Sequence, residues 1–145
     1  MFMKKVFICS PYRGDVERNL KAARKHARMA AIVGYCPMAP HLMFPQFLND
    51  NDPEQRILGI TLGVEQMKVC DEIWIFGGRI SNGMAFELEQ AKELGIPVRL
   101  YDDDGNGVCS NPIRTSETAG FLLITPAKFK ALPGGTTLPG TLFYL

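Results

Sequence analysis

The sequence predicts an α/β protein built in three layers, a parallel sheet with helices on both faces. Short continuous apolar runs such as Val6-Phe7-Ile8-Cys9 and Ile73-Trp74-Ile75-Phe76 read as strands buried on both sides. Between them lie segments with helical periodicity, and strands that alternate with helices pair in parallel through crossover connections. A length of 145 residues provides for one main domain, and 46% hydrophobic with 21% charged residues is too apolar for a disordered chain.

The first strand, Val6–Cys9, stops at Ser10-Pro11-Tyr12-Arg13-Gly14. A helix follows, with Asp15 as its cap and Gly34 just past its end. At 100° per residue Val16, Leu20, Ala23, Ala27 and Ala30 share one face, while Arg18, Lys21, Arg24, Lys25 and Arg28 lie mostly elsewhere. Tyr35–Met38 is a short second strand, followed by the loop Ala39-Pro40-His41-Leu42. Asp52-Pro53 is a cap followed by proline at the first helical position, and that helix runs to about Val69. Asp71–Phe76 is a third strand closed by Gly77-Gly78. Asn82–Leu94 is a third helix with Gly95 beyond it, and Ile96–Tyr101 is a fourth strand. After Asp104 the chain turns rich in Gly, Pro and Thr, so 1–104 is read as the α/β domain and 105–145 as a C-terminal extension. The extension is expected to pack on that domain or on a neighbouring subunit.

Ligands of such Rossmann- or flavodoxin-like sheets bind outside the carboxyl ends of the strands. Three loops are selected on that ground alone: Ser10–Asp15, Met38–Phe44 and Gly77–Met84. A net charge of +1, from 16 basic and 15 acidic residues, argues against a nucleic-acid polymer as partner. No run reaches the roughly 18 apolar residues of a membrane span, and Met1–Lys5 leads straight into a strand without a leader's apolar region. The four cysteines, Cys9, Cys36, Cys70 and Cys109, show no zinc-ligand spacing and read as reduced thiols of a cytoplasmic protein.

The third helix carries a charge on its apolar side. With Met84 at the origin, Leu88, Ala91 and Leu94 fall within an arc that also holds Glu87, at about 300°. A carboxylate there is costly unless something pairs or uses it. It either reaches solvent or a partner such as Arg13 or Lys92, or it serves chemistry at the mouth of the third strand. The loop before it, from Gly77 through Ser81, Asn82 and Gly83, can hold an anion with backbone amides at a helix start. It is neither a dinucleotide fingerprint nor a Walker loop.

Ser81-Asn82-Gly83-Met84-Ala85-Phe86-Glu87, followed by Ala91 and Gly95-Ile96-Pro97-Val98, resembles the signature of the nucleoside 2-deoxyribosyltransferase-like superfamily. That group includes nucleoside deoxyribosyltransferases and deoxynucleoside 5′-monophosphate N-glycosidases. The resemblance covers about residues 4–101, is strongest over Cys70–Val98, and leans toward small, often phage- or prophage-borne members. It implies cleavage or transfer at an N-glycosidic bond, with Glu87 as nucleophile and neither metal nor organic cofactor. A glutamate suits an oxocarbenium-like state because it stabilises the cation and then bonds to it. The resemblance further implies that Arg13 and Ser81 hold a sugar or its 5′-phosphate. Ser10, Gly14, Gly77, Asn82 and Gly83 would complete that side, and Tyr12 and His41 would line the base side. Ser110 resembles a position that a partner subunit contributes. Two positions depart from the pattern: Phe7 stands where the family has a tyrosine near the nucleophile, and Gly63 where it has a proton-donating aspartate. Those departures motivate a second reading, a non-catalytic binder of a nucleotide or ADP-ribose-like ligand; a third is an oligomeric scaffold or phage accessory protein with an empty pocket.

The remaining singular residues read as structural. Trp74 lies in a buried strand, His26 near the edge of the first helix's apolar face, and the basic cluster Arg18–Arg28 is a solvated helix face without interleaved aromatics. The second long helix has two apolar stripes, Ile57, Ile60, Val64 and Met67, and Leu58, Leu62 and Val69. Gly59 and Gly63 are expected to let a neighbouring backbone approach. Two apolar sides predict either a homo-oligomer interface or burial beneath the C-terminal extension.

Overall fold

A computed structural model describes residues 2–76 and 80–101. Four parallel strands form one sheet, β1 (Lys5–Cys9), β2 (Cys36–Met38), β3 (Glu72–Phe76) and β4 (Val98–Tyr101), in the order β2-β1-β3-β4. Three long helices connect or flank them, α1 (Val16–Ile32), α3 (Pro53–Lys68) and α4 (Asn82–Glu93). The short α2 (Pro40–Met43) follows β2 directly. The α/β class and the parallel sheet are as the apolar runs predict.

Period-two alternation divides the core between the two faces of the sheet. Phe7, Cys9, Ile73, Ile75, Val98 and Leu100 point to one face and pack with Met67 of α3 and Met84, Leu88 and Ala91 of α4. Val6, Ile8, Trp74 and Phe76 point to the other and pack against Ala27 and Ala30 of α1. Burying each large side chain of this kind contributes about 1.5–3 kcal/mol. The register Phe7↔Ile73 and Ile75↔Leu100 keeps like faces together, because a one-residue slip would turn every side chain to the wrong layer.

The helix ends follow local chemistry. Asp15 accepts from the Arg18 N–H, Asp52 from those of Glu54 and Gln55, and Ser81 Oγ from that of Met84. Gly34 and Gly95 leave α1 and α4 with φ of +96° and +68°, which a Cβ would strain. Strand β3 starts one residue later than predicted, since the Asp71 carboxylate is occupied by the Lys5 N–H at 2.7 Å.

Several expectations change. The loop after the second strand is largely helical: Pro40 opens α2 at a position needing no N–H, and a 3₁₀ turn, Phe44–Gln46, continues it. On α1, Val16 is exposed at the helix's first position, while Ala23 and Ala30 are buried. On α3, Ile57 leaves its stripe and is exposed with Leu58 and Val69, while Met67 enters the core. Leu94 likewise ends exposed, as the residue that caps α4. Gly59 and Gly63 face the side chains of Leu48 and Pro40 at ordinary contact distances, not a neighbouring backbone. His26 is buried and stacked on Phe76, with ring centroids 3.8 Å apart, while the basic residues of α1 are exposed. Cys9, Cys36 and Cys70 are free thiols; Cys109 and the whole of 102–145 lie outside the described residues.

Candidate active site

The chain passes from β1 to β2 on one side, then crosses β1 to lay down β3 on the other. This reversal opens a crevice at the carboxyl ends of β1 and β3. A cavity of about 590 Å³ occupies it, lined from the β1–α1 loop, from α2, from the amino end of α4 and from one face of α3. Of the candidates named from sequence, Ser10, Tyr12, Arg13, Gly14, His41, Ser81, Asn82, Gly83 and Glu87 all line it. Gly77 and Ser110 lie outside the described residues. The crevice explains the convergence, because these residues end a strand, start a helix or belong to a β-to-α connection.

Glu87 sits in the second turn of α4, with its side chain 13% exposed. Its Oε1 lies 3.4 Å from His41 Nε2, while its buried Oε2 has no hydrogen-bond partner among the described residues. The sequence offers Arg13 or Lys92 as its partner; the structure gives His41, because α2 carries that imidazole to the cavity wall. Burial alone would lower the pKa of His41. The hydrogen bond to Glu87, with the charges of Glu87 and then Asp50, outweighs burial and holds it above the ordinary value. The Tyr12 ring stacks on His41, with centroids 5.7 Å apart and planes 15° from parallel, which fixes the imidazole from its other side. Beneath the carboxylate, burial, then the Glu87 charge and a hydrogen bond with Glu87, push the Cys9 thiol well up, so it stays neutral.

Ser81 uses its oxygen to cap α4, with Met84 N at 3.3 Å, and keeps its hydroxyl proton to donate. Asn82 and Gly83 begin that helix at the cavity and are exposed, where its free amides carry partial positive charge. Gly14 turns the β1–α1 loop with φ of +96°, and Ser10 is buried at the strand's end. Arg13 is not free. Its Nε donates to Asp50 Oδ2 at 2.7 Å and its Nη2 to the Asp50 carbonyl at 2.8 Å.

Sequence reasoning missed Asp50, Arg56, Phe44 and Phe86, all of which line the cavity. Asp50 stands in the polar tetrad Asn49-Asp50-Asn51-Asp52, of which only the helix cap was legible. Arg56 lies one turn into α3, at a spacing from Gly59, Ile60 and Gly63 that marks the cavity-facing stripe. Gly63 lines the cavity with no side chain, so α3 presents no carboxylate there, and Phe7 is wholly buried in the core. Among the described residues no group of three or more His, Cys, Asp or Glu is placed to hold a metal ion. No described helix is long and apolar enough to cross a membrane.

The fold has a solved counterpart. A 2-deoxyribosyltransferase from the psychrotolerant bacterium Bacillus psychrosaccharolyticus superposes with a TM-score of 0.58 at 23% identity, covering 70% of this chain and 74% of that one. That likeness establishes a distant relationship of fold. No curated protein sequence matches at significant similarity. Residues 4–101, the span from Lys4 just before β1 through the end of β4, match a domain of unknown function, DUF7768, and the chain belongs to that family.

Proposed function

We propose that this protein cleaves or transfers at the N-glycosidic bond of a nucleoside or deoxynucleoside 5′-monophosphate, with Glu87 as the nucleophile. One observation carries the reading: a mostly buried carboxylate lines a cavity of ligand size at the switch-point crevice, and one of its oxygens has no hydrogen-bond partner among the described residues. Native proteins rarely leave such an oxygen unmet without use for it. The fold likeness to a 2-deoxyribosyltransferase and the resemblance over Ser81–Glu87 support the same chemistry.

In this reading the Glu87 carboxylate attacks the anomeric carbon as the bond to the base nitrogen breaks, and the base departs with that electron pair and takes up a proton. The sugar is then held as an ester of Glu87. Water or a second base attacks the same carbon, returns the electron pair to the carboxylate, and releases the sugar or the new nucleoside. His41 orients the carboxylate through Oε1 and, with Tyr12, lines the base side. Ser81, the amides of Asn82 and Gly83, Ser10, Gly14 and Arg13 serve the sugar side. Gly77 and Ser110 belong to the same proposal from outside the described residues. Incubating the full chain with a panel of deoxynucleosides and their monophosphates tests it. Base release or exchange that disappears in Glu87→Ala is expected; no release and no exchange across the panel overturns the enzymatic reading.

The glycine at position 63 favours one second reading, a non-catalytic nucleotide or ADP-ribose binder. With glycine there, α3 offers no carboxyl to protonate a departing base, though the cavity can still hold one. Ligand binding that persists in Glu87→Gln, with no turnover by the unsubstituted protein, would distinguish it.

A further inference from the structure

Asp50 lies between two guanidinium groups. Besides the two hydrogen bonds from Arg13, Arg56 Nη1 approaches Asp50 Oδ2 at 3.1 Å and Oδ1 at 3.3 Å. Arg13 comes from the β1–α1 loop and Arg56 from α3, so the three side chains tie two walls of the cavity together. Arg13 and Asp50 also line an adjoining open groove of about 710 Å³. Two converging arginines are the usual recipe for a phosphate. Here the chain supplies the anion itself.

The charge balance follows. Among the described residues lining the cavity, Arg13 and Arg56 face Asp50 and Glu87, two cations against two carboxylates, with His41 as the remaining titratable base. A dianionic phosphate would have to detach Arg13 from a short, charge-assisted contact and then lie against the Asp50 carboxylate. A sugar hydroxyl meets no such penalty: Asp50 accepts from it, and the guanidinium N–H groups not used on Asp50 donate to it. Selectivity built on repulsion of the wrong ligand needs only one such charge.

We infer that Asp50 makes this cavity select the uncharged hydroxymethyl end of a nucleoside over its 5′-monophosphate. The inference rests on the proposed function for its ligand class and narrows it. Titration calorimetry of the full chain with 2′-deoxyadenosine, its 5′-monophosphate and inorganic phosphate tests it. Asp50→Asn, Asp50→Ser and Asp50→Asn/Arg13→Gln are compared with the unsubstituted protein. The unsubstituted protein is expected to bind the nucleoside at least about tenfold more tightly than the monophosphate. Both single variants should gain about tenfold or more for the monophosphate and for inorganic phosphate, and the added Arg13→Gln should remove the gain. Tighter binding of the monophosphate by the unsubstituted protein overturns the inference. So does a folded pair of variants with no gain for phosphate, or loss of folding in both, which would make Asp50 a structural tie. If no protein binds nucleoside or monophosphate but the variants gain inorganic phosphate, the glycosidic reading fails and the charge selection stands.

Discussion

Glu72 and Glu87 are both acidic side chains drawn into the body of the domain, one from β3 and one from α4, and their surroundings differ in kind. Glu72 is 3% exposed and fully engaged: Oε2 accepts from Trp74 Nε1 at 2.9 Å and Arg99 Nε at 2.8 Å, and Lys4 Nζ lies 3.7 Å from Oε1. Burial would raise its pKa, but the hydrogen bonds from Arg99 and Trp74, with the charges of Arg99 and Lys4, bring it below the ordinary value. Glu87 meets only the His41 imidazole at 3.4 Å and the neutral Cys9 thiol among the described residues, and its Oε2 has no well-formed hydrogen bond there. A carboxylate that serves the fold has its lone pairs met by the strand beside it. One that serves a ligand lines a cavity and is left partly unmet by the fold.

The comparison can be broken most decisively at Glu87. Its replacement by alanine should lower base release on the order of 10³-fold or more. Chemical denaturation should meanwhile show stability unchanged or raised, because an unpaired buried oxygen is removed. A large loss of stability there would place Glu87 with Glu72. The reciprocal test is Glu72→Ala, which removes the acceptor for the partly buried Arg99 and the Trp74 indole and should cost about 1–3 kcal/mol of unfolding free energy. Because its folded pKa is depressed, Glu72 contributes stability above the usual glutamate value of about 4.3, lost as pH falls through the folded value. Glu72→Gln should therefore flatten the acid limb of a stability-against-pH curve.

Ser81 sharpens the comparison, since it serves both the fold and the site. Ser81→Ala removes the cap of α4 and should cost about 1 kcal/mol. Ser81→Asp keeps the cap, so an elevated KM in both variants would separate ligand binding from helix stability. The smallest effect belongs to His41. Its folded pKa is raised, so its pair with Glu87 contributes stability that is full below about pH 6.5 and lost as pH rises through the folded value. Because burial opposes the charged form of this pair, its net contribution is small, on the order of 1 kcal/mol or less. Unfolding midpoints measured across neutral pH should show that loss in the unsubstituted protein and not in Glu87→Gln.

Much of this was legible along the chain. The runs Val6–Cys9 and Ile73–Phe76, the caps Asp15, Asp52 and Ser81 and the glycines after α1 and α4 are local signals, and local energetics set them. Glu87 was legible because a helix wheel is local as well. Less visible was the short α2, where propensity over four residues is too weak to distinguish a helical turn from a loop. The Asp50 bridge was invisible for another reason: its partners are 37 and 6 residues away, and nothing in Asn49–Asp52 marks which carboxylate caps and which reaches across.

The sequence by itself determined the alternation of strands and helices, the two faces of the sheet and the charge on the wrong side of α4. These depend on periodicity and on groups within a turn of one another. Only the tertiary structure decided that His41 would meet Glu87, that Tyr12 would stack on His41, and that Arg13 would be committed to Asp50. Those contacts join segments brought together by the crossing of β1, and their energies depend on distance and burial, which a linear order of residues does not contain.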